Sequence, residues 1–195
     1  MKESRRRAAL CGFMTLALFA VLSAYMRVNL AYAGTWGQTL ALAALFTLVA
    51  GGAMTVYAHL EKPNGRTLAL AGSVMALTML ARVSMLDYVT ADYTSFLSKW
   101  VELFREGGFK TLGQNVGDYN LLYQYVLLLI AQTPLHDLYL IKLFTVIFDY
   151  ALAIAMMRAA GYFAGEKAAL PVMMLVCALP TTLIDGACWG QCDTV

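Results

Sequence analysis

The chain has 195 residues, of which 61 % are hydrophobic and only 13 % charged, and its mean hydropathy is +0.65. A soluble domain carries about 25 % charged residues and about 45–50 % apolar ones, so this composition excludes an ordinary soluble globular domain, a disordered chain and a nucleic-acid binder. The net charge of +2 says little by itself, whereas the placement of the charges sets the topology.

Four basic residues, Lys2, Arg5, Arg6 and Arg7, precede an uncharged run over 8–26, long enough for a first membrane span. Ala31-Tyr32-Ala33 has the small-residue look of a signal cleavage site, but the apolar run exceeds the usual 7–15 residues of a signal core, which favours a retained helix. Residues 39–58 form a second span, with Gly51 and Gly52 suited to close helix packing, and His59 at its end reads as an interfacial side chain. Lys62-Pro63-Asn64-Gly65 is a turn by composition, and a third span follows over 67–86, interrupted by Arg82.

Residues 87–120 are richer in charge. Within them, 92–106 shows helical periodicity, with Tyr93, Phe96, Leu97, Trp100 and Phe104 on one face, which predicts an amphipathic helix lying in the membrane interface and ended by Gly107-Gly108. The apolar run 121–131 is too short to cross and reads as a re-entrant or interfacial segment. Residues 138–157 form a further span despite Lys142 and Asp149, and 168–184 a last one, kinked or ended by Pro180.

If 121–131 does not cross, the links at 61–66 and 158–167 share a side with the N-terminus, and together these hold eight of the fourteen Lys and Arg residues. The positive-inside rule selects that arrangement, with the N-terminus cytoplasmic and both the 87–137 segment and the C-terminal residues outside. The expected fold is thus an all-α polytopic membrane protein of about five spans, with interfacial and re-entrant helices in a long external loop.

Asp92, Asp118, Asp185 and Asp193 then lie near the outer surface, either as loop carboxylates facing water or as part of a polar site above an apolar groove. Three ionisable residues fall inside spans, where a charge costs about 2.5–3.5 kcal/mol on insertion scales. Lys142, near a helix end, is expected to snorkel. Arg82 has two readings, snorkelling or gripping a lipid phosphate with its forked donors. Asp149, the deepest, is expected to partner a neighbouring helix. The cysteines, including Cys188 and Cys192 four apart, fit no metal or redox spacing and read as packing residues. There is no Walker loop, GxGxxG, HExxH or GxSxG.

The segments ADYTSFLSKWVELFREGGF (91–109), GDYNLLYQY (117–125), LYLIKLFTVIFDYALA (138–153) and LIDGACWGQCD (183–193) together resemble the GT-C class of integral-membrane glycosyltransferases, in particular bacterial relatives of the GPI and dolichol-pathway mannosyltransferases. The resemblance covers roughly 82–195. It implies two parts: an added basic segment and helix pair over 1–66, and the N-terminal part of a GT-C-like catalytic module over 67–195. It also implies an enzyme of the bacterial inner or plasma membrane, moving a hexose such as mannose from a polyprenyl-phosphate donor to a hydroxyl of a glycan, lipid or protein acceptor at the extracytoplasmic face; no cofactor is expected, and the single acidic residue at Asp92 weakens any claim of a metal there. Asp92 takes the place of the catalytic carboxylate, Asp118-Tyr119 that of the later loop motif, and Trp189, Gln191 and Asp193 that of the next outer motif. Arg82 would help hold the phosphate. The chain departs from many relatives in offering a single acidic residue at Asp92-Tyr93-Thr94 and in carrying Asn120 where a proline is common. A non-catalytic membrane scaffold and a transporter or flippase component are the alternatives. A transporter would show internal repeats of its spans, and none is visible.

Overall fold

The computed structural model describes residues 2–114, 116–117 and 120–190. All regular structure among them is helical. Four helices are long and apolar enough to cross a membrane: α1 (Lys2–Asn29), α2 (Trp36–Glu61), α3 (Gly65–Ser84) and α6 (Asp137–Ala164). A fifth crossing is made if α7 (Glu166–Ala178) and the stretch Pro180–Trp189, bent by 42°, count as one span. This is the build of an integral membrane protein.

The bend falls at Pro180, as its chemistry requires. Proline has no N–H to continue the ladder and its ring excludes the carbonyl four residues back. The chain restarts as a short helix, α8 (Pro180–Thr182), and then a π-helical turn over Leu183–Trp189.

The two ends of the bundle differ in charge. At the basic end, Arg7 Nη1 donates to the Lys62 carbonyl at 3.3 Å, and Arg158 pairs with Glu61 at 2.9 Å. The N-terminus and the links at 61–66 and 158–167 therefore share one end, the parity selected above from the distribution of Lys and Arg. Asn64 caps α3 there, accepting from the Thr67 N–H. At the opposite, acidic end lie the loop after α1, the end of α3, and the described residues from 85 to 136. A capping box closes the start of α2, with Thr35 and Gln38 each accepting the other's backbone N–H.

The first two helices are integral to the bundle: α1 packs on α2 and α3, and α2 packs on α6. A Cβ at Gly51 would stand 2.8 Å from Thr15, and one at Gly72 2.6 Å from Met54, so both positions mark close helix crossings. Gly52, paired with Gly51 in the sequence-based expectation, instead faces outward with nothing near it.

The predicted interfacial helix over 92–106 is built in two pieces, a π-helical turn over Tyr93–Leu97 and then α4 (Ser98–Gly107). The wide turn, closed by Ser98 N–H to the Tyr93 carbonyl, rotates what precedes it. Leu97, Val101 and Phe104 are buried, while Phe96, expected on the same face, is 52 % exposed. Gly108, at φ +56°, ends α4, and a 3₁₀ turn over Gly108–Gly113 follows. The run 121–131 is α5 (Leu121–Ala131), 11 residues or about 16 Å, half a hydrocarbon core. It packs on α4 and α6. The loop after it returns to the acidic end, where Gln38 Nε2 donates to the Pro134 carbonyl at 2.6 Å.

Candidate functional site at the acidic end

Two polar assemblies lie in and above the bundle. The inner one is centred on Arg82, whose side chain is fully buried. Its Nε faces Asp149 Oδ2 at 3.3 Å, Nη1 donates to the Thr78 and Cys177 carbonyls at 3.3 and 3.0 Å, and Nη2 donates to Thr182 Oγ1 at 3.2 Å. The Tyr150 ring lies 5.2 Å away under the guanidinium. The Cys177 carbonyl lies in the last turn of α7, beside the break before Pro180, so Arg82 caps a broken helix inside the protein. The expectation that Arg82 snorkels is corrected here, because its side chain is fully buried. The guanidinium turns inward because Asp149 and the open end of α7 take its donors. Asp149 is the interhelical partner expected of it. Its Oδ2 lies against Gly186, where a Cβ would stand 2.5 Å away.

Lys142 also departs from expectation. It is 1 % exposed, and its Nζ donates to the Met85, Leu86 and Tyr88 carbonyls at 3.0, 2.9 and 2.7 Å. Far from snorkelling, it caps the C-terminal end of α3, where the helix dipole favours a cation. On its other side is Gly190, where a Cβ would stand 3.3 Å from Lys142 Cγ. One lysine thus lies between the residues that follow α3 and Gly190, the residue that caps the last π-helical turn.

The outer assembly surrounds Asp87. Asp87 Oδ1 accepts from Tyr139 Oη, and Oδ2 accepts the Ala31 N–H at 2.9 Å. Tyr139 Oη in turn accepts the Tyr32 N–H at 2.9 Å. The Ala31-Tyr32-Ala33 stretch is thereby locked onto α3 and α6. The Tyr32 ring stacks on His136, with centroids 4.3 Å apart, and His136 Nδ1 lies 3.5 Å from Asp137 Oδ1. The same Asp137 oxygen accepts from Tyr93 Oη at 3.1 Å. Burial, reinforced by the Asp137 charge, raises the Tyr93 phenol above its ordinary range. Burial lowers the His136 imidazole, against the opposing pull of Asp137 and Asp87.

Asp92 comes immediately before Tyr93, and its residue is exposed at the start of the π-helical turn. The Tyr93–Asp137 hydrogen bond therefore ties the segment bearing Asp92 to the first turn of α6. Trp189 closes the last π-helical turn and is 44 % exposed. Asp118, Tyr119, Gln191 and Asp193 lie outside the described residues. Among the described residues, no group of three or more His, Cys, Asp or Glu side chains is placed to hold a metal ion.

Sequence reasoning passed over Asp87, His136, Asp137 and Tyr139. Asp87 looked like an ordinary helix-end carboxylate. The available signal was a run of polar and aromatic residues, His136-Asp137 with Tyr139, opening an otherwise apolar helix. Compared with known proteins, the chain matches no family model, no curated protein and no solved structure.

Proposed function

We propose that this chain belongs to a membrane glycosyltransferase of the GT-C type, moving a hexose from a polyprenyl-phosphate donor to an acceptor hydroxyl at the acidic end of the bundle. The observation that carries the reading is the placement of Asp92: an accessible carboxylate on an amphipathic interfacial segment, tied through Tyr93 and Asp137 to a fixed helix end. The sequence resemblance over 82–195 supports it.

In this reading Asp92 takes the proton from the acceptor hydroxyl. The acceptor oxygen attacks the anomeric carbon, the bond from that carbon to the phosphate oxygen breaks, and polyprenyl phosphate leaves as an anion. A positioned base is worth about 10²–10⁴-fold. With the Arg82 donors engaged inside the bundle, it serves as a positioning residue, setting the bend at Pro180 that carries Trp189 outward. Holding the leaving phosphate falls to another cation.

The test is transfer of labelled hexose from a polyprenyl-phosphate donor by the purified protein in lipid vesicles. Asp92→Asn is expected to lose at least about a hundredfold in rate with an unchanged unfolding temperature. Glu106→Gln, an exposed carboxylate on α4, should keep nearly full activity. Full transfer by the Asp92 variant would remove its role as base, and absence of transfer by the protein expressed from its whole reading frame would remove the enzymatic reading.

A further inference from the structure

The basic end carries a recess of about 540 Å³ between the start of α1 and the end of α2. Its wall holds Ser4, Arg7, Thr55, His59 and Lys62, over a floor that includes Cys11. None of its lining residues is a carboxylate. Glu61, next to Lys62 in sequence, is committed to Arg158, and Glu3 lines a separate recess of about 240 Å³ that shares Arg7. An arginine, a lysine, two hydroxyl-bearing residues and an imidazole thus line a common space, with the Thr55 hydroxyl donating to the Gly51 carbonyl and one Arg7 donor to the Lys62 carbonyl, and Lys2, Arg5, Arg6 and Arg66 are close by in sequence.

We infer that this recess binds the phosphate diester headgroup of an anionic membrane phospholipid. The charge requires an anion, and Arg7 offers forked donors that match phosphate oxygens. The position selects a lipid over a free ion. The recess opens where the apolar runs 8–26 and 39–58 reach the membrane surface, which is the headgroup layer. Its apolar floor would receive the first carbons of a lipid and has no use for an inorganic ion. Basic pockets between membrane helices hold anionic headgroups on this principle, at about fivefold in affinity for each Lys or Arg near the surface. The site lies at the opposite end of the bundle from Asp92, so it stands or falls independently of the glycosyltransferase reading.

The experiment compares retention of phosphatidylglycerol and phosphatidylcholine by the full chain in detergent, read by native mass spectrometry, together with the unfolding temperature in each lipid. Preferential retention of phosphatidylglycerol with a raised unfolding temperature is expected. Arg7→Gln with Lys62→Gln should weaken that retention about 25-fold, while Lys99→Gln with Lys110→Gln at the other end should change it less than twofold. Lys62 is exposed and Arg7 half-buried, and equal unfolding temperatures in phosphatidylcholine verify that the double variant folds. Three results would overturn the inference: equal stabilisation by inorganic phosphate at the same concentration, equal loss from the two double variants, or unchanged retention in the Arg7/Lys62 variant.

Discussion

The inner and outer polar assemblies are made of similar groups and solve opposite problems. Around Arg82 and Asp149 the charges are sealed among four helical segments, and the guanidinium is shared by a carboxylate, two carbonyls and a hydroxyl. Around Asp87 and Asp137 the carboxylates face tyrosine hydroxyls and backbone N–H groups, and the neighbouring Asp92 stays open to solvent. The charge buried at Arg82 is matched by the charge of Asp149 and serves architecture. A charge at the rim can be held by neutral donors and keep one face free for chemistry.

The sharpest way to break this comparison is Asp149→Leu. It leaves the Arg82 guanidinium buried without its counter-charge, and breaking a buried pair costs about 3–5 kcal/mol. Unfolding of the chain in mixed micelles should show that loss, and Arg82→Met added to Asp149→Leu should recover part of it. A cost near zero for the single change would mean that water reaches the pair and that the interior is not sealed.

At the rim the expected effect is smaller. Asp87→Ala removes a carboxylate that accepts from Tyr139 and from the Ala31 N–H, and hydrogen bonds to a charged group are worth about 1.5–3 kcal/mol. The same unfolding assay should register that range, and limited proteolysis should show faster cutting between α1 and α2, because this loop loses its anchor to α3. Unchanged protection of the loop would mean that Asp87 is not what holds it.

The smallest effect is a pH dependence at His136. Burial favours its neutral form, so its folded pKa lies below the ordinary 6.5. As pH falls, the unfolded chain takes the proton first. The stabilising contribution is therefore complete above about pH 6.5 and is lost as pH drops through the folded value. Asp137 and Asp87 oppose the shift and Arg105 adds to it, which keeps the effect modest. His136→Asn should flatten this limb of the stability profile, and an unaltered limb would assign it to other groups.

The spans were legible because their lengths and apolar composition leave few alternatives, and the shared side of the two basic links could be read from charge alone. The partners of the buried charges could not. Arg82 and Asp149 are 67 residues apart, and no local pattern says that one turns toward the other. The same holds for Lys142, whose three acceptors are backbone carbonyls and leave no trace in side-chain identity. Phe96 was misplaced because a π-helical turn breaks the 3.6-residue count on which the face assignment rested. Asp92 was legible as an exposed interfacial acid, but its tether through Tyr93 to Asp137 is a contact over 44 residues that periodicity does not encode.

The helices are of unequal length. α3 has 20 residues, about 30 Å and one hydrocarbon thickness, while α1 and α6 have 28, about 42 Å. On α1 the surplus is taken up by the basic turns before residue 8. On α6 it is divided between the two ends: the helix runs on past the Arg158–Glu61 pair to Ala164 at the basic end, and at the acidic end Lys142, in its second turn, reaches the carbonyls that follow α3. The bilayer must choose which of these lengths to match. A thin membrane leaves the Asp87–Tyr139 collar standing in water, and a thick one draws it into the headgroups or forces the long helices to tilt. The wetness of the rim is thereby set by the thickness of the surrounding lipid, and moving the protein between membranes of different depth would retune it without altering a residue.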